Sequence, residues 1–79
     1  MAKVIIYSTP TCPYCEMVKE YFKKNNIQYE NYDVSADEEK AKEMIQKSHQ
    51  MGVPVIDIDG EIIVGFDRPT IEKALNLKS

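Results

Sequence analysis

The segment TPTCPYC, residues 9–15, contains both cysteines of this 79-residue chain, Cys12 and Cys15. It follows a run of β-branched and aromatic residues at 4–7 that is typical of a buried strand, and it precedes apolar residues with helical spacing. The sequence therefore predicts a strand, a turn and a helix whose beginning carries two thiols. In this context a C-x-x-C motif indicates redox chemistry.

Pro13 stands where the helix is expected to begin. Its fixed φ suits the first helical turn, and its missing N–H is not needed there. Cys12 is therefore expected at or just before the helix N-terminus, where free N–H groups and the helix dipole stabilise a thiolate. Thiols in such positions have pKa values of roughly 3.5–7.5, compared with about 8.5 for a free cysteine.

Helical spacing also distinguishes the two cysteines. At about 100° per residue, Cys15 lies at the edge of the apolar side of the predicted helix and Cys12 projects towards the polar side. We expect Cys12 to be the exposed thiol and Cys15 the shielded one, one helical turn apart and close enough to form a disulfide. The predicted apolar side consists of Tyr14, Cys15, Met17, Val18, Tyr21 and Phe22.

Length and composition exclude several classes of protein. A chain of 79 residues is predicted to form a single domain, residues 1–79, and its net charge of −3 argues against nucleic acid as a partner. No apolar run approaches the roughly 20 residues of a membrane span, and the first one is too short for a signal peptide. We therefore expect a cytoplasmic protein, where a C-x-x-C motif is more often catalytic or metal-binding than structural.

The rest of the chain alternates between strand and helix patterns. Ser35 and Glu38 match a capping box, Gly52 is expected to end the second helix, and Asp59-Gly60 predicts a two-residue hairpin. A helix between the first two strands makes them parallel, and the hairpin makes the last two antiparallel. The prediction is an α/β fold with a four-stranded mixed sheet flanked by three helices, in the order β-α-β-α-β-β-α. Predicted strands are 4–7, 27–34, 55–58 and 61–64, and predicted helices are 13–25, 35–50 and 69–75.

Three motifs in this order resemble the glutaredoxin family, within the thioredoxin fold. They are CPYC at 12–15 after the first strand, VP at 53–54 before the third strand, and GFD at 65–67 before the last helix. The resemblance covers nearly the whole chain. It implies a thioredoxin-like fold and a thiol–disulfide oxidoreductase.

The resemblance also implies roles for individual residues. Cys12 resembles the nucleophilic cysteine and Cys15 the resolving one, with Pro13 supporting them. The peptide bond before Pro54 is expected to be cis, and the backbone there pairs with the thiol substrate in the family. The positions matching substrate or glutathione contacts are Tyr14, Val53, Pro54 and Asp67.

One position and one segment depart from patterns that are frequent in the family. Thr9 stands where many glutaredoxins have a lysine or arginine that holds the glycine carboxylate of glutathione, and GFDRP at 65–69 replaces G-G-x-D-D. The latter segment is similar to glutaredoxin-like electron donors of ribonucleotide reductase, which take electrons from thioredoxin reductase. The resemblance thus implies either glutathione as co-substrate or a flavoprotein reductase as electron source.

Other interpretations of the same residues stay open. Two thiolates are half of a zinc site, with His49 as the chain's one histidine, and two chains could share an iron–sulfur cluster. His49 is expected at the surface, Tyr14 could be a plain surface aromatic, and Asp67 could cap the last helix. We expect a monomer without a bound cofactor or metal that acts on disulfide-containing proteins.

Overall fold

The computed structural model describes residues 3–50 and 52–75. Its elements follow one another in the predicted order of strands and helices. They are β1 Val4–Ser8, α1 Pro13–Lys24, β2 Glu30–Asp33, α2 Glu38–Ser48, β3 Val55–Ile58, β4 Glu61–Val64 and α3 Arg68–Leu75.

The four strands form one mixed sheet in the order β2-β1-β3-β4. The pairing of β1 with β2 is parallel, while β1 with β3 and β3 with β4 are antiparallel. The predicted thioredoxin-like α/β fold is confirmed. Because of these directions, the carboxyl ends of β1, β2 and β4 lie at the same end of the sheet as the beginning of β3.

The helices cover both faces of this sheet. Side chains alternate along a strand, so that Ile6 and Tyr7 of β1 contribute to opposite faces. On one face α1 and α3 cover an apolar cluster of Val4, Ile6, Val18, Phe22, Ile56, Ile58, Ile63 and Ile71. On the other face α2 covers a smaller cluster of Tyr7, Met44 and Val55.

The end of α1 explains why β2 starts later than the sequence predicted. Asn26 adopts a left-handed conformation with φ 56°, and its N–H donates to the carbonyl of Lys23. The N–H of Ile27 donates to the carbonyl of Phe22 at 2.9 Å, which completes a Schellman motif. Ile27 therefore folds back onto the apolar cluster instead of entering a strand, and pairing begins at Glu30.

The beginning of α2 corrects the predicted capping box. The carboxylate of Asp33 accepts both the N–H and the hydroxyl of Ser35, at 2.9 and 2.5 Å, so Ser35 lies in a turn. Asp37 is the actual N-cap and accepts the N–H of Lys40 at 3.1 Å. The helix accordingly starts at Glu38, later than a cap at position 35 would give.

The helix α2 also ends earlier than the sequence predicted, so it is shorter at both ends. His49 has φ 61° and its N–H donates to the carbonyl of Ile45 at 2.7 Å, so the helix ends at Ser48, before Gly52. His49 is exposed, as expected.

Among the described residues, no helix is both long and apolar enough to cross a membrane.

The hairpin between β3 and β4 has the predicted two-residue turn. Asp59 and Gly60 have φ values of 51° and 92°, the positive pair that a type I′ turn requires. The carboxylate of Asp57 accepts the N–H of Gly60 at 2.8 Å, which fixes the turn to β3.

Candidate active site

Three separate segments meet at the end of the sheet where β1 stops. Tyr7 pairs with Val55, so the next residue outwards on β3, Pro54, lies at the level of Ser8. The N–H of Gly65 donates to the carbonyl of Pro54 at 2.8 Å. The chain topology thus brings the cysteine motif, residues 53–54 and the beginning of the segment at 65–67 to one end of the molecule.

Cys12 is the N-cap of α1. Its backbone is extended, with φ −98° and ψ 108°, and its sulfur accepts the N–H of Cys15 at 3.1 Å. Pro13 is the first helical residue, as predicted, and the N–H of Cys12 donates to the carbonyl of Thr9 at 3.4 Å. The sulfur therefore satisfies one of the free N–H groups of the helix beginning, in the position where such groups stabilise an anion.

The two sulfurs are bonded to each other, so the structure is the oxidised form of the pair. The two Cα atoms are 5.2 Å apart. Cys15 has no exposed surface and is shielded, as predicted. Cys12 keeps only 9% of its surface exposed and is buried, so the prediction of an exposed Cys12 thiol is wrong. An extended N-cap residue lies outside the helix and does not follow helical spacing, which is why its projection onto the polar side failed.

The buried stripe of α1 is narrower than predicted. Cys15, Val18 and Phe22 are completely buried, at spacings of three and four residues. Tyr14 and Met17, which the sequence placed on the same apolar side, are 61% and 46% exposed. Each of these two precedes a buried residue by one position, about 100° around the helix, and so lies beside the stripe that contacts the sheet.

The Val53–Pro54 peptide bond is cis, as expected. Pro54 is fully buried, and Val53 is half-buried against the cluster under α2. Pro54 has no N–H, and its carbonyl accepts the N–H of Gly65. The role of this dipeptide in substrate binding stays a prediction.

Asp67 caps α3, in agreement with one of the two interpretations of this residue. Its carboxylate accepts the hydroxyl of Thr70 at 2.7 Å and the N–H of Thr70 at 3.4 Å. Its carbonyl accepts the N–H of Ile71 at 2.9 Å. The helix begins at Arg68, one residue before Pro69. Asp67 is exposed, so a cap and a contact with substrate are compatible.

The unusual segment at 65–69 is packed against α1. The ring of Phe66 lies edge-on to that of Tyr21, with centroids 5.8 Å apart. The guanidinium of Arg68 lies 5.3 Å from the centroid of the Tyr21 ring and 4.0 Å from the carboxylate of Glu72. These contacts connect the loop before α3 to the helix that carries the cysteines.

A charged cluster between α2 and the sheet was not predicted. The ammonium of Lys47 donates to the carboxylate of Asp57 at 2.7 Å and to the hydroxyl of Tyr7 at 2.9 Å. That hydroxyl donates to Glu43 at 2.5 Å. The available signals were an aspartate inside an apolar strand and a glutamate–lysine pair four residues apart on α2, but neither identifies the other as its partner.

Contacts within the cluster shift the pKa values of three of its side chains. Burial opposes the charge of Lys47, but the hydrogen bonds to Asp57 and Tyr7 outweigh it and raise the pKa of Lys47. Burial, together with the hydrogen bond to Glu43, raises the pKa of Tyr7. The same hydrogen bond lowers the pKa of Glu43. Around neutral pH these pKa shifts keep Tyr7 a neutral phenol, Lys47 an ammonium and Glu43 a carboxylate.

Comparison with known proteins agrees with this geometry. The family model described as Glutaredoxin matches residues 4–63. The chain is 51% identical over 70 residues to a glutaredoxin-like 8.6 kDa protein of the rubredoxin operon of Clostridium pasteurianum, covering 89% of this chain and 93% of that one. It is 36% identical over 67 residues to glutaredoxin 3 of Escherichia coli, covering 85% and 81%.

Solved structures give the same result. A crystal structure of a variant of a thioredoxin-like protein superimposes with a TM-score of 0.90 and 35% sequence identity, covering 99% of this chain and all of the other. This similarity agrees with the thioredoxin-like fold of the chain.

Proposed function

Because the chain belongs to the glutaredoxin family, we propose that it is a dithiol oxidoreductase in which Cys12 attacks substrate disulfides and Cys15 resolves the mixed disulfide. The observation that carries this proposal is the asymmetry of the pair. Cys12 is the N-cap of α1 and keeps 9% of its surface exposed, whereas Cys15 is completely buried. An external disulfide therefore meets the sulfur of Cys12 first.

The reaction is a two-electron exchange in two displacement steps. In the first, the Cys12 thiolate attacks one substrate sulfur, the substrate S–S bond breaks, and the other substrate sulfur leaves and takes a proton from solvent. In the second, the Cys15 thiol gives up its proton and attacks Cys12, and the first substrate sulfur leaves as a thiolate, which is protonated. The substrate disulfide is reduced to two thiols and Cys12–Cys15 is oxidised.

The N–H of Cys15 assists the start of this exchange. It lies 3.1 Å from the sulfur of Cys12 and donates to it. A hydrogen bond to a thiolate is charge-assisted, and it adds to the favourable helix dipole at the same position. Both effects hold Cys12 as a thiolate in the reduced protein, and they favour its departure when an external thiol attacks the substrate sulfur of the mixed disulfide.

Substrate binding is proposed for groups that lie at the same end of the molecule as Cys12. The backbone of Val53, beside the buried Pro54, would pair with an extended thiol substrate, as strands pair at a sheet edge. Tyr14 and Asp67 are both exposed and would contact glutathione or the residues around a substrate cysteine.

The reducing partner is proposed to be glutathione, acting as co-substrate, with no bound cofactor or metal required. A flavoprotein reductase of the thioredoxin reductase type is the second candidate, and Thr9 and the segment 65–69 favour it because both depart from the frequent glutathione-binding pattern. In either case we propose a monomer that reduces disulfide-containing proteins in the cytoplasm.

A coupled assay tests the electron source. NADPH oxidation is followed with glutathione, glutathione reductase and a small mixed disulfide, and separately with thioredoxin reductase and a protein disulfide. We expect turnover in the first system, with Cys12→Ser as the blank. Turnover only in the second system would mean that the electrons come from the reductase and not from glutathione. Turnover in Cys12→Ser would contradict the assignment of Cys12 as the nucleophile.

The division of roles is tested by trapping. Cys15→Ser is expected to accumulate a mixed disulfide with a protein substrate, because the second displacement lacks its nucleophile. Mass spectrometry of the unreduced mixture detects the adduct. Cys12→Ser is the matched control and should form none, since the remaining sulfur is buried.

A further inference from the structure

The ammonium group of Lys47 joins the end of α2 to two strands of the sheet. It donates to the carboxylate of Asp57 in β3 at 2.7 Å and to the hydroxyl of Tyr7 in β1 at 2.9 Å. The other oxygen of Asp57 accepts the N–H of Gly60, so the partner of Lys47 is itself fixed to the hairpin. Because charge-assisted hydrogen bonds are directional, these contacts determine where the end of α2 lies on the sheet.

The pair of Lys47 and Asp57 brackets the dipeptide at 53–54. Lys47 is the last residue but one of α2, and Asp57 is the third residue of β3. The chain between them contains the cis peptide bond of Val53 and Pro54. A segment whose ends are tied together has fewer conformations than one with free ends, so the ion pair restricts the segment that carries the dipeptide.

The side chain of Val53 connects the dipeptide to the same helix. It is half-buried against the cluster under α2, to which the helix contributes Met44 and β1 contributes Tyr7. Tyr7 therefore belongs both to the cluster on which Val53 packs and to the hydrogen bonds of Lys47. A shift of α2 along the sheet would consequently move the packing surface of Val53.

We propose that Lys47 is a positioning residue for thiol–disulfide exchange, because it holds α2 against β1 and β3 and thereby keeps the backbone of Val53 in place for a peptide substrate. The inference rests on the proposed function, in which that backbone pairs with an extended substrate. Both hydrogen-bond partners of Lys47 are side chains of the sheet, so its effect on the reaction is indirect. The effect is confined to substrates that have peptide groups to pair with Val53.

The test compares two disulfides that differ in this respect. One is a disulfide-linked dimer of a short cysteine peptide, and the other is the disulfide of mercaptoethanol, which has no peptide group. Reduced protein is mixed with each, quenched with an alkylating agent and analysed by mass spectrometry for the rate of Cys12–Cys15 formation. In Lys47→Met we expect the rate with the peptide to fall roughly threefold to tenfold, as for the weakening of one hydrogen bond to substrate, and the rate with the small disulfide to stay unchanged.

Tyr7→Phe is a milder second variant. It removes the bond between Lys47 and β1 but keeps an aromatic ring in the cluster under α2, and the pair of Lys47 with Asp57 remains. We expect a loss of roughly twofold with the peptide and none with the small disulfide.

Two controls separate positioning from a general loss of stability. Lys40→Met removes another lysine of α2, whose ion pair with Glu43 stays within the helix. Val4→Ala makes a cavity in the apolar cluster on the other face, at the start of β1. Both variants should react with the two disulfides in the same ratio as the wild type.

An unchanged peptide rate in Lys47→Met, or in Tyr7→Phe if Lys47→Met does not fold, would overturn the positioning role and leave the oxidoreductase proposal standing. Equal losses with the two disulfides would overturn it as well, because the effect would then lie at Cys12 and not at Val53. The same holds for a selective loss of equal size in Lys40→Met or Val4→Ala. Absence of reaction between the wild-type protein and both disulfides would instead refute the proposed function itself.

Discussion

The two faces of the sheet hold their helices by different means. Against α1 and α3 the sheet presents a continuous apolar cluster that includes Ile6 and Ile56. Against α2 it presents a smaller cluster and, beside it, the carboxylate of Asp57, which pairs with Lys47 of the helix. The same strands supply both faces, since Ile56 and Asp57 are neighbours in β3.

The difference bears on how the cysteine pair is held. Apolar burial is not directional and responds little to pH or salt, so the helix that begins at Cys12 is fixed by forces that tolerate changes of medium. Hydrogen bonds between charged groups are directional and depend on protonation. The α2 face should therefore be the part of the molecule whose stability changes with pH.

The largest effect is expected on the apolar face. Phe22 is completely buried in the cluster, and Phe22→Ala should lower the free energy of unfolding by about 3–5 kcal/mol. For a chain of this size the total is roughly 4–12 kcal/mol, so the variant could approach complete unfolding. Urea denaturation measures the loss. Glu20→Ala on the same helix is the control, and a loss in Phe22→Ala as small as in this control would contradict the role of the cluster.

On the α2 face, Lys47→Met should cost about 1–3 kcal/mol, because the largely buried carboxylate of Asp57 then loses its charged partner. Lys40→Met is a closely matched control. Both lysine side chains are 30% exposed and both pair with Glu43, Lys40 at 3.6 Å and Lys47 at 4.0 Å, but Lys47 in addition pairs with Asp57 at 2.7 Å. Equal losses in the two variants would mean that the buried pair with Asp57 contributes nothing of its own.

Asp67 makes a smaller, polar contribution to stability, on the side of the sheet that α1 and α3 cover. Asp67→Ala should destabilise the protein by about 0.5–2 kcal/mol through loss of the α3 cap, whereas Asp67→Asn should change stability little, since asparagine caps equally well. The pair of variants also separates capping from substrate contact. If Asp67→Asn weakens glutathione-dependent turnover at unchanged stability, the carboxylate has a role beyond the cap.

Local patterns in the sequence predicted much of this molecule. The helix start at Pro13, the stop at Asn25 and Asn26, and the type I′ turn at Asp59-Gly60 each depend on residues close together in the chain. The arrangement of the strands followed from the connections between them. Competing local interactions explain the errors, because Asp33 binds the Ser35 that was expected to cap α2.

Contacts between distant residues were beyond sequence reasoning. Tyr7 and Lys47 are 40 positions apart and meet only because α2 crosses the face of β1 and β3. The exposure of Met17 has a similar origin. Helical spacing shows which residues share a side of α1, but the width of the buried stripe depends on how the sheet meets the helix.

The smallest predicted effect is the pH-dependent contribution of Glu43 to stability, which distinguishes the α2 face from the apolar face. The hydrogen bond from Tyr7 lowers the pKa of Glu43 below its value in the unfolded chain, which is about 4.3. The ionised carboxylate therefore stabilises the fold above that value, and the contribution is lost as the pH falls through the lower pKa of the folded state. Because Glu43 is partly exposed, the gain is limited to about 0–1 kcal/mol.

Glu43→Gln should accordingly be less stable than the wild type at about pH 7, and the difference should vanish as the pH falls below the lowered pKa of Glu43, where the carboxylate is protonated in both states. Urea denaturation at several pH values gives the difference. The destabilisation by Phe22→Ala, which removes no titratable group, should stay constant over the range in which the wild type remains folded. A difference for Glu43→Gln that does not change with pH would show that the side chain acts through packing, and the contrast between the two faces would then lose its electrostatic basis.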